Sequence, residues 1–477
     1  MAANSEWDKE VDILVVGSGA GALLSGLVAA KNHADVLIVE KEKLWGGTSA
    51  TSGAGIWIPD SDLAKAEGFE DDTEDAFKYV RALSNDNVPD DNIRAYVENA
   101  SDMLNWMQAN SAIRYAAFPY PDYHAENPGG SPEGYRTHLP LPMEGKYTDP
   151  SIRTMRHPST AASLFGYINW DISEAYTFLF RPKFWWMTMV RMLKNYWLDL
   201  PFRFTSDKDR RLTQGNALVG SLRLALIEKD VPLWLESPME ELIEEKGEVT
   251  GAIVKHDGEE LRVRARKGVI LAAGGFDKNK EMREEHAPLY QSAQYSGGTS
   301  GNMGDSIRAG SEVGAETMNM HSAWAAPVWY VPGEFGGRLC AMERALPGCI
   351  MVSQSGDRFL NEAASYHIVG QQMARRQQEH GDADPVWFVF DADYRRKYPA
   401  GALLPVVPDW LQEGAVRSIM KKAKTVAGLA EQLGVDPAKL EATISRFNRR
   451  SCKYLRCFIF PDWARLFCRR FLPGQRP

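Results

Sequence analysis

The chain has no run of about 18 consecutive apolar residues, the length a helix needs to cross a bilayer, so no membrane span is expected. Cysteine is scarce: there are five, and no CxxC pair. That excludes a disulfide-stapled scaffold and the common zinc motifs. Cys340 and Cys349 are expected to be reduced core thiols of a cytoplasmic protein. Positive charge is not in excess. The net charge of -8 argues against general nucleic-acid binding. The first residues, MAANSEWDKE, are polar and acidic and do not read as a secretory leader.

What is present is a strong local signal near the N-terminus. Val11 to Val16 is a short, β-branched apolar run and reads as a buried strand. Gly17, Gly19 and Gly21 follow, with Ala22 at the last position of a G-x-G-x-x-G/A motif. Glycine allows a sharp turn and a close approach of backbone to a diphosphate. Ala22 to Ala30 suits a helix whose N-terminal N–H groups face that diphosphate. Asp35 to Val39 reads as the second strand, and Glu40 ends it. A carboxylate roughly 20 residues past the glycines can hold a ribose hydroxyl. A second glycine and hydroxyl cluster comes next: Gly46, Gly47, Thr48, Ser49, Ser52 and Gly53. It can wrap a further stretch of cofactor, which fits FAD and has no evident use in a nicotinamide enzyme.

Further on, 92–110 has an apolar helical face made by Ile93, Tyr96, Val97, Ala100, Leu104 and Met107. The Pro- and Gly-rich stretch 118–144 reads as loop. Residues 171–204 combine aromatic and basic side chains and read as a helical hairpin. Its aromatics are expected to pack on the substrate domain or a neighbouring subunit or, as a sharper alternative, to dock shallowly on a membrane surface. Residues 239–255 read as a β-hairpin turning at Lys246-Gly247, followed by strands at 260–265 and 268–273. Ala273, Gly274 and Gly275 would let the backbone approach the cofactor a second time. A Gly-rich loop from 296 leads into a short helix, and 351–367 reads as strand, turn and a polar segment lining a site.

The segments EKEKLWGGTSATSGAGIWIP, VILAAGGFDKNKEMRE, GNMGDSIRAGSEVGA and GDRFLNEAASYH resemble the FAD-dependent 3-ketosteroid Δ1-dehydrogenases. These sit in the wider flavoprotein class that includes fumarate reductase. The resemblance implies an α/β fold, with a Rossmann-like FAD-binding domain and an inserted α+β substrate (capping) domain. The first is expected in 1–280, returning after the helical segment at about residue 205, and the second in 281–450. The implied cofactor residues are Gly17, Gly19, Ala20, Gly21, Glu40, Lys41, Gly47, Thr48, Ser49, Ser52, Gly53, Met239, Ala273 and Gly274. The implied reaction removes trans hydrogens from C1 and C2 of a 3-ketosteroid ring. It needs a base at C2. By motif position that base is Tyr366, assisted by Tyr123, with Tyr120 the competitor for the second role. A tyrosine whose pKa is about 10 when unperturbed must have its phenolate stabilised to serve.

After Arg449-Arg450 the sequence departs from the family. Residues 451–477, SCKYLRCFIFPDWARLFCRRFLPGQRP, stand where relatives carry a last flavin segment and a tyrosine and glycine that polarise the 3-keto oxygen. The stretch reads as a shifted reading frame or as a genuine basic, aromatic tail, and low dehydrogenase competence is expected from it. A fumarate-reductase-like enzyme is the alternative within the class, and a non-catalytic flavin or steroid binder the alternative outside it. The apolar segment MHSAWAAPVWYVP disfavours a dicarboxylate site. The electron acceptor and the oligomeric state have no signature in the sequence.

Overall fold

The computed structural model describes residues 7–454 apart from 85, 146–149, 160–161, 165, 291–294, 335–336, 402, 404, 406 and 413. Side chains are described through 449. The readings made of 451–477 therefore lie outside the described residues, beyond a helical backbone at 451–454.

The chain forms two compact units. The first comprises 1–172, 192–286 and 298–322; the second comprises 173–191, 287–297 and the chain from 323 onward. The division thus returns several times: the first unit resumes at 192, where a return at about 205 was expected, and it takes 298–322 as well, beyond the boundary expected near 280. The helical segment 171–204 contributes to both units.

The first unit is built on a six-stranded sheet. Its elements are β1 (Lys9–Val16), α1 (Ala20–Lys31), β2 (Val36–Val39), α2 (Gly47–Thr51), α3 (Gln214–Ile227), β3 (Leu233–Trp234), β4 (Met239–Glu245), β5 (Glu248–His256), β6 (Glu259–Leu271) and α4 (Asp305–Glu312). The strand order is β3-β2-β1-β6-β5-β4. The first four run parallel, and β4, β5 and β6 pair antiparallel. All of β2 is buried, as its uninterrupted VLIV sequence requires in a sheet covered on both faces. Two apolar clusters flank the sheet. One gathers Leu23, Leu27, Ile38, Leu222 and Leu226 between the sheet and its helices. The other gathers Leu14, Leu37, Val254 and Val263 on the opposite face.

Two expectations need correction here. The strands expected at 260–265 and 268–273 are one element, β6. The register against β1 shifts between Val11 and Ile13, opposite Ala265 and Gly268. Arg266 and Lys267 fill the irregularity and turn their charges to Asp12, at 2.9 and 3.2 Å. A charged pair inside an apolar strand therefore marks a bulge and not a break. The second correction concerns 118–144. Its first part is loop, but Thr137–Pro140 is a strand paired with Tyr115–Phe118 and Ile56–Trp57. Pro140 is tolerated because it ends the strand.

The 92–110 helix is found as Asp90–Asn110, with Ile93, Val97, Ala100, Leu104 and Met107 buried. Tyr96 is exposed, and its hydroxyl donates to the Trp57 carbonyl. In the second unit, β7 (Cys349–Val352) and β8 (Trp387–Phe390) form an antiparallel pair, and α5 (Tyr366–His380) lies between them in sequence. Cys340 and Cys349 are buried and unpaired, as expected of core thiols. Burial pushes the Cys349 thiol up to about 12 and raises that of Cys340, so neither is a nucleophile at neutral pH.

Candidate functional site

A cleft of about 640 Å³ opens in the first unit at the carboxyl ends of β1, β2 and β6. It is lined by every expected cofactor residue except Ser52 and Gly53. Open α/β sheets bind ligands at this edge because the crossover from strand to helix leaves a crevice there.

Gly17 makes the turn out of β1 with φ +107°, and a Cβ there would lie 2.4 Å from the Ala272 carbonyl oxygen. Only glycine fits on both counts. Gly19 caps α1, and no side chain caps that helix. The Ala20 N–H is already taken by Ser49 Oγ at 3.0 Å. The N–H groups of the next residues, at the positive end of the helix, remain for an anion. Gly21 has no atom within 4 Å of where its Cβ would stand, so the helix start faces open cleft.

The second glycine cluster acts by close approach. Gly46 and Gly47 have φ values of +105° and +51°, and a Cβ at Gly47 would lie 3.6 Å from Gly19 Cα. The cluster thus brings the start of α2 against the first glycine loop, and the Ser49–Ala20 bond locks the two together. Ser52 and Gly53 sit behind it. Ser52 Oγ donates to the Ser49 carbonyl at 2.8 Å, and the Ser52 carbonyl accepts from Gly215 at the start of α3. They support the wall of the cleft without lining it.

Glu40 is oriented by its neighbours. Ser18 Oγ donates to one carboxylate oxygen and accepts from the Gly46 amide at 2.9 Å, and the Glu42 amide donates to the other oxygen at 3.0 Å. Each oxygen keeps a lone pair for a ribose hydroxyl. Glu40→Ala is expected to weaken FAD binding by about 1.5–3 kcal/mol, the loss of a charge-assisted hydrogen bond. Flavin fluorescence titration measures it, and an unchanged affinity would remove Glu40 from the site.

Several lining residues went unnoticed in the sequence. Thr299, Gly301 and Asn302 come from the Gly-rich loop before α4, Asp305 is the first residue of α4, and Arg156 comes from a short turn. Asn302 Nδ2 donates to Thr48 Oγ1 at 3.1 Å and to Asp277 Oδ1 at 2.7 Å. Gly274 has φ +84°, and a Cβ there would meet Asn302 Oδ1 at 3.0 Å. Lys41 forms an ion pair with Asp305, and Glu42 one with Arg156. The sequence signal for the loop is four glycines in eight residues, 297–304, ending in the positive-φ Gly304.

The cleft fits FAD on two observations. The glycine walls leave backbone N–H groups facing it, and Glu40 is held ready for a ribose.

The two expected catalytic tyrosines lie in different units. Tyr123, in the first, is exposed and meets Tyr120 edge to face at 6.0 Å. Its loop is held by the preceding residue: buried Asp122 accepts from Trp57 Nε1 at 2.6 Å, Arg136 Nη1 at 2.9 Å and the Ser131 amide at 2.9 Å. Arg136 also grips Asp71 through two nitrogens. Burial alone would raise the Asp71 carboxyl, but the Arg136 guanidinium and the backbone amides of Asp60 and Asp72 together outweigh it and leave the group below its usual range. Tyr366, in the second unit, is the first residue of α5, beside Trp324 at 6.2 Å. Ser365 caps the helix through its hydroxyl, which accepts from the Ile368 amide.

The FAD binding domain family matches residues 12–469. The 3-oxosteroid 1-dehydrogenase of Mycolicibacterium smegmatis is 32% identical over 457 residues, which cover 92% of this chain and 78% of the relative. The 4-oxocyclohexanecarboxylate 2-dehydrogenase of Sinomonas cyclohexanicum is 30% identical, with 92% and 73% covered. Among solved structures, the 3-ketosteroid delta1-dehydrogenase from Sterolibacterium denitrificans, in complex with 1,4-androstadiene-3,17-dione, is 37% identical at a TM-score of 0.83. That match covers 92% of this chain and 78% of the other.

Proposed function

Because the chain belongs to the FAD binding domain family and, within it, to the 3-oxosteroid 1-dehydrogenases, we propose that it desaturates C1–C2 of a 3-ketosteroid. The observation that carries this reading is the 37% identity and TM-score of 0.83 to a dehydrogenase solved with a steroid dienone. The dinucleotide cleft of the first unit supports the cofactor side.

In this reading the bound, oxidised flavin supplies the hydride acceptor for C1. The protein's own residues handle the proton and the binding. Tyr366 takes the proton from C2 as a phenolate, and Tyr123 supports it. Tyr366 is the first residue of α5, at the end of the segment GDRFLNEAASYH that carries the resemblance. Gly17 to Gly21 would receive the diphosphate, Glu40 would hold the ribose, and Met239, the first residue of β4, would meet the adenine through its backbone. Thr48 and Asn302 fix the wall of the cleft.

The test is product analysis on the FAD-reconstituted chain with an artificial electron acceptor. Androst-4-ene-3,17-dione is expected to give the 1,4-diene, and succinate to give nothing. Oxidation of succinate alone would replace this reading with the fumarate-reductase-like one.

A peripheral membrane contact in the cytoplasm extends the proposal, since apolar steroids partition into lipid. In the second unit, Phe180, Phe184, Trp186, Met187 and Val190 are about half exposed, beside Lys183 and Arg191. Exposed aromatics flanked by cations suit the lipid headgroup zone. The protein is expected to float with anionic vesicles at low salt and to be released by high salt. A protein that stays at the bottom of the gradient in both conditions has no such contact.

A further inference from the structure

We infer that Arg344 is a positioning residue for the base, fixing the loop that delivers Tyr366 to the start of α5. The inference rests on the reading of Tyr366 as that base. Arg344 is 5% exposed and lies on a single helical turn, Glu343–Ala345, in the second unit. Its Nη1 carries two hydrogens and donates to two carbonyls, those of Glu362 and Ala364, the latter at 2.6 Å. Its Nε donates to the Cys340 carbonyl at 3.3 Å. Residues 361–365 lie between β7 and α5, so no strand ladder supplies donors to the two loop carbonyls. A buried carbonyl without a donor is costly, and the guanidinium meets both from one rigid group. Taking a guanidinium out of water is costly too, so a side chain needed here only for packing would be apolar.

The loop is pinned from a second side. The buried Glu362 carboxylate accepts from the Met351 amide in β7 at 2.8 Å and from Arg358 Nε at 3.0 Å. Glu362 is thus tied to the strand by its side chain and to Arg344 by its main chain. Asn361 closes a turn beside it: its Oδ1 accepts from the Ala363 amide and its carbonyl from the Ala364 amide, both at 3.1 Å. Ser365 then caps α5, and Tyr366 follows, two residues beyond the last carbonyl that Arg344 holds. Arg344 is itself held, because Cys349 Sγ at the start of β7 donates to its carbonyl at 3.3 Å. One turn into α5, a Cβ at Gly370 would lie 2.8 Å from the Ala325 carbonyl carbon, so the helix beyond its first turn is packed tightly. Loss of the guanidinium therefore frees the turn at 361–365 and the first residues of α5, and little else. A base displaced by about 1 Å from the C–H it attacks can cost on the order of 10²-fold in rate.

The experiment joins amide hydrogen exchange to single-turnover flavin reduction by androst-4-ene-3,17-dione, both on the full FAD-loaded chain. Arg344→Gln is expected to raise exchange at 361–368 and to leave β8 unchanged. Its flavin reduction is expected to slow about 10- to 100-fold, with the steroid concentration for half-maximal rate unaltered. Arg344→Lys keeps a cationic donor without the fork and should fall between Arg344→Gln and the parent protein. A loss of folded protein would lower the fraction of flavin reduced and not the rate constant. In the Tyr366→Phe background Arg344→Gln should cost nothing further, since the two act through one group. Should Arg344→Gln fail to fold, Arg344→Lys carries the same comparisons. An unchanged rate in the Arg344 variants while Tyr366→Phe is slowed, or exchange raised equally in β8, would overturn the inference and leave the base in place. A normal rate in Tyr366→Phe would remove the base, and this inference with it.

Discussion

Tyr366→Phe is expected to lower steroid turnover by about 10²- to 10⁴-fold, the contribution of a positioned general base, while FAD remains bound with an unaltered spectrum. The substitution removes one hydroxyl and keeps the ring against Trp324. It also leaves the Ser365 cap of α5 in place, because that bond runs from the Ile368 amide to Ser365. The fold of the second unit should therefore survive. The described cleft is lined by first-unit residues, so the affinity for FAD should not follow the loss of activity. Stopped-flow turnover beside a flavin titration checks both parts. Turnover within a few-fold of the parent protein would remove Tyr366 as the base, and Tyr123 and Tyr120 would be tested next.

The second large effect is expected at Gly17. An alanine there must hold φ near +107° and place its Cβ 2.4 Å from the Ala272 oxygen and 2.8 Å from the Ala272 carbon. The strained backbone alone costs on the order of 1–3 kcal/mol. The clash adds to that, because both β1 and β6 are fixed by the ladder between them. Gly17→Ala should not take up FAD, and its thermal unfolding should come well below that of the parent protein. Gly21→Ala separates cofactor from folding. Its Cβ meets nothing within 4 Å, so the protein should fold at least as well, alanine being the better helix former by about 1 kcal/mol. The added methyl stands in the cleft, so FAD binding should still weaken. If Gly17→Ala binds FAD normally, the crossover is not as tight as its geometry requires.

What could be read from the sequence was what the chain encodes locally. The β1–α1–β2 crossover, its glycines and Glu40 fall within one short segment, and each residue type answers a local demand: a left-handed turn, a helix start, a strand end. The Ala273-Gly274 pair was reachable because a strand end at a sheet edge is a recognisable place, whereas Met239 came only with the family resemblance. Arg156 and Asn302 were not. Arg156 sits on an unremarkable turn whose position is set by Trp45, Lys208 and Asn216, and none of those contacts is local. Asn302 matters because Gly274 lets it approach Thr48, which is a tertiary event. The broken reading of β6 has a similar cause. Arg266 and Lys267 look like a strand terminus until Asp12 of β1 is set beside them. The strand at Thr137–Pro140 was hidden by the prolines and glycines around it, since its pairing with Tyr115–Phe118 is decided by the partner and not by its own composition.

The central claim is that this chain holds FAD in the first-unit cleft and uses it to desaturate a 3-ketosteroid at C1–C2. Anaerobic mixing of the FAD-loaded protein with androst-4-ene-3,17-dione deuterated at C1 and C2 tests it most directly. Bleaching of the 450 nm flavin band, together with loss of one label from each carbon in the product, is the predicted result. A band that stays oxidised with the steroid bound, or loss of label from any other pair of carbons, would contradict it.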